Sequence, residues 1–149
     1  MDRNAKVLIV DDDENIRNTM KTILEDEGYV VDLAATGREA IEKTQKTAYN
    51  LALLDIRLPD MEGVELLKLI KDPTPRTRKI MVTGYPSMQN AITALNKNAD
   101  AYLIKPVNVE KLLTTVKEQL KMQEDEEQFS EQKVAEFIET RVKELSTTS

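Results

Sequence analysis

The sequence predicts an α/β protein built as a doubly wound, five-stranded parallel sheet with five flanking helices. Three observations lead there. Five short apolar runs, rich in Val, Ile and Leu, alternate with amphipathic stretches along most of the chain. The runs are apolar without alternation, as strands buried on both faces are. The polar residues gather where the runs stop, at Asp11–Asp13, Asp55, Thr83 and Lys105.

"KVLIVD" (6–11) is the first strand. After it, Ile16, Met20, Ile23 and Leu24 recur at helical spacing, and Gly28 predicts the stop. "VVDLA" (30–34) is the second strand. Thr36 then caps a helix, with Glu39 three residues on in capping-box position. "NLALLD" (50–55) is the third strand, followed by the loop "RLPDMEG" and the helix "VELLKLI", which "DPTPRT" ends. "KIMVTG" (79–84) is the fourth strand, and Ser87 caps the helix "SMQNAITALNK". "DAYLIKP" (100–106) is the fifth, and a last helix opens near Asn108.

Composition narrows the chemistry. The 149 residues contain no Cys and no His, which excludes disulfides, thiolate chemistry and imidazole sites. The N-terminus lacks a signal-peptide pattern, and no apolar run is long enough to span a bilayer, so a soluble cytoplasmic protein is expected. The net charge of −6 is unevenly spread: residues 124–149 hold eight acidic and three basic side chains. Neither part has the basic patch that direct nucleic-acid binding needs.

In open parallel sheets, ligands bind at the carboxyl ends of the strands. Any one aspartate there is explained equally well as a helix cap. The set is harder to explain that way. Three consecutive aspartates repel one another unless something positive sits among them. Clustered carboxylates without His or Cys suit a hard cation, most simply magnesium. A carboxylate beside it can attack phosphorus and form an acyl phosphate. A Lys ammonium and a hydroxyl or backbone N–H can hold the remaining phosphoryl oxygens.

"VLIVDDDENIR", "LALLDIRLPDMEG", "KIMVTGYPS" and "AYLIKPV" resemble, in order, the four signature segments of the receiver domain of two-component response regulators, across about residues 5–122. The resemblance implies strand order 2-1-3-4-5, a flavodoxin-like arrangement, and a phosphoryl group taken from a sensor histidine kinase or phosphotransfer protein. It implies that Asp55 is the phospho-acceptor and that Asp11 and Asp12 hold magnesium, with Asp12 the direct ligand. The Arg57 main-chain carbonyl completes the metal set, and Asp13 is left as a helix cap. Thr83 matches the switch hydroxyl, Gly84 keeps the approach open, and Lys105 is the ion-pairing lysine. Pro106 falls where the family has a cis peptide, and Tyr102 matches the aromatic that moves with Thr83. The readout face would comprise the helix after Ser87, the fifth strand and the helix after Asn108. The protein would be no enzyme beyond its own phosphorylation and dephosphorylation. Bulky Arg57 and Tyr85, two residues after Asp55 and Thr83, predict slow dephosphorylation.

These segments assign 1–122 to the receiver and 123–149 to an acidic helical extension. Residues 121–133 are too polar for a core face, so they are expected to be a solvated helix or a hinge, with Ser130 capping a new helix. Val134, Phe137, Ile138, Val142 and Leu145 then form an apolar stripe. It is read either as a helix folded back on the domain or as a homodimerisation or partner-docking element. The extension is too short and acidic for a helix-turn-helix. If the chain is complete, it is a single-domain receiver resembling the chemotaxis type and acting on a downstream protein. The alternatives are a receiver fragment of a DNA-binding transcription regulator and a haloacid-dehalogenase-like phosphatase. The phosphatase would use Asp11 and Asp13, but it leaves Asp55 unexplained.

Overall fold

A computed structural model describes residues 5–73, 75–84 and 99–147. Its strands are β1 (Lys6–Val10), β2 (Val30–Ala34), β3 (Leu51–Asp55), β4 (Arg78–Thr83) and β5 (Ala101–Ile104). They pair in parallel in the order β2-β1-β3-β4-β5, as expected. Val7 lies opposite both Val31 and Leu51, Leu53 opposite Ile80, and Val82 opposite Leu103. The described helices are α1 (Glu14–Asp26), α2 (Gly37–Lys46), α3 (Gly63–Leu69) and the C-terminal α4 (Val109–Thr147). The helix expected after Ser87 lies outside the described residues.

Strand alternation explains why the runs are apolar throughout. Val7, Ile9, Leu53 and Val82 face one layer, packed with Met20 and Leu24 of α1 and Leu112, Val116 and Leu120 of α4. Leu8, Val10, Leu54 and Met81 face the other, under Ala40 of α2 and Leu66 and Leu67 of α3. The central strands β3 and β4 are buried along their whole length, and β1 from Val7 on, so both of their sides are mostly apolar, while the edge strands β2 and β5 are partly exposed.

The caps are mostly where the sequence places them. The Asp13 side chain accepts from the Ile16 N–H at 3.1 Å and opens α1. Gly28, at φ 97°, closes it. The Gly28 N–H donates to Glu25 O and the Tyr29 N–H to Leu24 O, and buried Tyr29 and Leu24 join the same core layer. That is the bonding of a Schellman motif. Thr36 Oγ1 accepts from the Glu39 N–H at 3.1 Å, but Glu39 reaches back to the Ala35 N–H, one residue earlier than a capping box requires.

Of the two expectations for 121–133, a solvated helix or a hinge, the helix is the one that forms, and the new start at Ser130 does not occur. The C-terminal helix runs unbroken for 39 residues, and Ser130 lies inside it. The segment contains no Gly or Pro, and its Glu, Gln and Lys residues are good helix formers. Lys121 also pairs with Asp125 at 3.0 Å, one turn on. Nor does polarity prevent this segment from packing. Gln123 is buried: its side-chain amide donates to Asn50 O and Arg76 O, each at 2.8 Å, and accepts from Asn50 Nδ2 at 3.0 Å. Buried Arg78 donates to Gln119 at 3.0 Å and to Glu126 at 2.9 Å. Asp100 accepts two bonds from Arg76, at 2.9 and 2.6 Å, and one from the Lys79 N–H at 2.8 Å. This network joins the amino ends of β3, β4 and β5 to the helix. From Glu127 to Ser146 every helix residue is exposed, including Phe129, Val134, Phe137, Ile138, Val142 and Leu145. No helix among the described residues is long and apolar enough to cross a membrane.

Candidate functional site

β1 delivers Asp11 to the carboxyl edge of the sheet, where its N–H bonds Ala34 O at 3.1 Å. The acidic loop then turns on itself. The Asp13 N–H donates to Asp11 Oδ1 at 2.9 Å, and Arg17 Nη1 reaches back from α1 to the Asp11 carbonyl at 2.7 Å. Asp11 is 1 % exposed, whereas Asp12 is exposed.

β3 delivers Asp55 beside it, 6 % exposed. The loop that follows is held at both ends. The Gly63 N–H donates to Ile56 O at 2.6 Å, bringing Gly63 so close to the Asp55 carbonyl that a Cβ there would overlap it. Asp60 accepts from the Gly37 and Arg38 N–H groups at 2.9 Å each, so the loop caps the start of α2. Those two backbone bonds, Arg38 first, hold the Asp60 carboxyl below its usual pKa.

Thr83 ends β4 and is fully buried. Its carbonyl accepts from the Lys105 N–H at 2.7 Å, which ties β4 to the lysine at the end of β5. The Lys105–Pro106 peptide is cis. Lys105 Nζ lies 2.6 Å from Asp11 Oδ2 and 3.4 Å from Asp55 Oδ2. Asp11, Asp12, Asp55, Arg57, Gly84 and Lys105 line one cleft of about 440 Å³. Tyr102 packs on the second core layer with its hydroxyl buried and without a hydrogen-bond partner among the described residues. Tyr85 lies outside the described residues.

The electrostatics are strained around Asp55. Burial raises its pKa first and the Asp11 charge adds to that; Lys105 and the Arg57 N–H offset only part. Burial works against the Lys105 ammonium, but Asp11 and then Asp55 outweigh it and hold its pKa above the usual value. One oxygen each from Asp11, Asp12 and Asp55 lie within 4.8 Å of one another. Asp11 Oδ2 is buried and has no aligned hydrogen bond, despite its close ion pair with Lys105. Three carboxylates this close, with one ammonium between two of them, fit a hard, oxygen-seeking cation.

The direction at Asp55 has a consequence for stability. A carboxyl whose pKa is raised on folding binds more protons folded than unfolded. Its ionisation therefore costs stability as pH rises from the unfolded to the folded value, and the whole cost persists at neutral pH. Asp55→Asn removes it while Lys105 keeps Asp11. In metal-free buffer at pH 7 the variant is expected to unfold at higher urea than wild type, with the gap closing near pH 3.5. Adding magnesium should narrow the neutral-pH gap by stabilising wild type more than the variant, which has lost one of the carboxylates. A variant less stable than wild type without metal would contradict this.

Every site residue named from the sequence, Tyr85 apart, is described, and Asp11, Asp12, Asp55, Arg57 and Lys105 share the cleft. Thr83 stands behind its wall. The sequence reading missed Arg17 and Asp60. Asp60 follows Pro59 in a loop and gave a weak capping signal, but its helix lies 22 residues upstream. Arg17 gave no signal.

Residues 7–117 match the response regulator receiver domain. This chain belongs to that family. A receiver of this family is a phospho-acceptor signalling domain, and the phosphatase alternative is not favoured. Among curated relatives, the transcriptional regulatory protein ZraR of Klebsiella oxytoca is 40 % identical over 114 residues, 76 % of this chain and 26 % of that protein. The chain thus spans about a quarter of the length of that relative. Among solved structures, a CheY-like receiver domain protein from Methanospirillum hungatei JF-1 is 51 % identical with TM-score 0.78, covering 83 % of this chain and 98 % of that one. A response regulator from Burkholderia pseudomallei, solved with a phosphorylated aspartic acid, calcium ion and citrate, is 30 % identical with TM-score 0.70, covering 83 % and 73 %.

Proposed function

We propose that this receiver accepts a phosphoryl group on Asp55 from a histidine kinase or phosphotransfer protein. The observation that carries the reading is the gathering of Asp11, Asp12 and Asp55 within ligating reach, with Lys105 paired to two of them. The phosphorylated aspartic acid and calcium of the Burkholderia protein support it. An Asp55 oxygen attacks phosphorus; the new O–P bond forms as the bond to the donor's nitrogen breaks and that nitrogen keeps the electron pair. Magnesium, held by Asp11, Asp12, Asp55 and the Arg57 carbonyl, would supply positive charge against the phosphoryl oxygens. Lys105 exchanges part of its pairing for a phosphoryl oxygen, and the Thr83 hydroxyl turns to another. Tyr102 follows into the space that Thr83 vacates. The added charge shifts the domain between two arrangements. A protein target reads that shift, in the cytoplasm. The exposed stripe of α4 is the surface offered to a second copy or to that target.

A second reading has an observation of its own. ZraR is about four times as long as the segment matched here, so this receiver also fits as the regulatory part of a DNA-binding regulator.

Intact-mass spectrometry after incubation with acetyl phosphate and magnesium tests the first reading. The expected result is a labile gain of one phosphoryl group, lost without magnesium and absent in Asp55→Asn. Steady release of phosphate with no adduct, or no adduct at all, would sink it.

A further inference from the structure

We infer that Arg17 is a positioning residue for the metal site. The inference rests on the magnesium-dependent reading above and concerns a side chain that touches neither metal nor phosphoryl group.

The acidic loop must hold two neighbouring carboxylates in different surroundings. Asp11 is buried, and its carboxyl is fixed by the Asp13 N–H at 2.9 Å and by Lys105 at 2.6 Å. Asp12 is exposed, and its carboxylate makes no hydrogen bond or ion pair among the described residues. Only the main chain places it. That main chain is the peptide joining Asp11 to Asp12, and its carbonyl takes the Arg17 Nη1 at 2.7 Å. Arg17 sits on the first turn of α1, where the Arg17 N–H bonds Asp13 O at 3.0 Å and the Asp13 side chain caps the helix. The guanidinium therefore ties the peptide plane before Asp12 to a rigid element. Without it, that plane gains freedom which metal binding must remove again.

The sign separates this role from a purely electrostatic one. A positive guanidinium near a cation site repels the cation, so removing it should tighten magnesium binding if charge were all that mattered. Removing a positioning bond should weaken binding instead. The bond to the carbonyl is short and the residue is half-buried on its own helix, whereas the repulsion acts through a solvent-open cleft and is screened. Weakening should win.

The test is the magnesium dissociation constant, by isothermal calorimetry, of wild type, Arg17→Met, Arg17→Lys and Asp12→Ala, with far-UV circular dichroism to check folding. Arg17→Met keeps the length of the stem; Arg17→Lys keeps a donor and carries the test alone if the first fails to fold. Arg17→Met is expected to bind roughly tenfold more weakly than wild type, with Arg17→Lys between. The acetyl phosphate rate should then need proportionally more magnesium, with its plateau kept. Unchanged or tighter binding in the folded Arg17 variants overturns the inference while the proposed function stands. Wild type that binds no better than Asp12→Ala overturns both.

Discussion

Gly63→Ala is expected to lose about 3 kcal/mol of stability in urea unfolding and to slow phosphorylation from acetyl phosphate by roughly a hundredfold. A Cβ at residue 63 would stand 2.8 Å from Met81 Cε and 3.0 Å from the Asp55 carbonyl carbon, and it would overlap that carbonyl's oxygen. Met81 can rotate away. The Asp55 carbonyl belongs to the last residue of a central strand and cannot, so the strain passes to the proposed phospho-acceptor. Gly37→Ala is the control. Its Cβ would also meet atoms too closely, but all three belong to the Met61 side chain and none to backbone, so a change of rotamer can relieve the clash. It should cost less and leave the phosphorylation rate near wild type. Equal losses for the two variants would show that crowding at Asp55 is not the cause.

Asp100→Ala is expected to cost about 3–5 kcal/mol at pH 7, because it removes one partner from a buried charged set. Asp100 is 9 % exposed and holds Arg76 at 2.6 Å, with Arg78, itself 8 % exposed, at 3.6 Å. Its loss also leaves the Lys79 N–H without its acceptor. The effect should depend on pH. Burial raises the Asp100 pKa, but the Arg76 bonds and the Lys79 N–H outweigh it and hold the value below 3.8. A lowered carboxyl contributes stability that is full above its unfolded pKa and is lost as pH falls through the folded one. Urea titrations at pH 7 and pH 2.5 should show a large difference from wild type in the first and a much smaller one in the second. A constant difference would mean that lost packing, rather than charge, accounts for the cost.

The sheet and the carboxyl-edge site were legible because each leaves a local mark. The middles of these strands are apolar, and Asp11, Asp55, Thr83 and Lys105 break the pattern where the strands end. The opposite edge carries no such mark. Arg78, Asp100, Gln119 and Gln123 are spread over 46 positions of sequence, and each alone reads as an ordinary surface residue. Only their pairing makes burial affordable, and pairing across that separation has no periodicity. The same blindness left 121–133 open between a solvated helix and a hinge. Loss of an apolar face removes the periodic signal, although Glu, Gln and Lys hold a helix by propensity and by pairs one turn apart. Arg17 escaped for a related reason: a bond to a main-chain carbonyl selects a donor of suitable reach and leaves no pattern in neighbouring residues.

The unbroken C-terminal helix is gripped near its middle and exposed thereafter. Among the described residues its last hydrogen bond to the sheet is from Arg78 to Glu126, and the 21 residues from Glu127 to Thr147 extend roughly 30 Å further. Mechanically this is a boom on a pivot. A rocking of about 5° at the Arg78–Glu126 mount would sweep the far end through roughly 3 Å. Arg78 opens β4, the strand that Thr83 closes, so the mount and the hydroxyl proposed to sense the phosphoryl group sit on one stiff rail. A shift too small to matter at the cleft would arrive at the tip as a displacement large enough to make or break a contact.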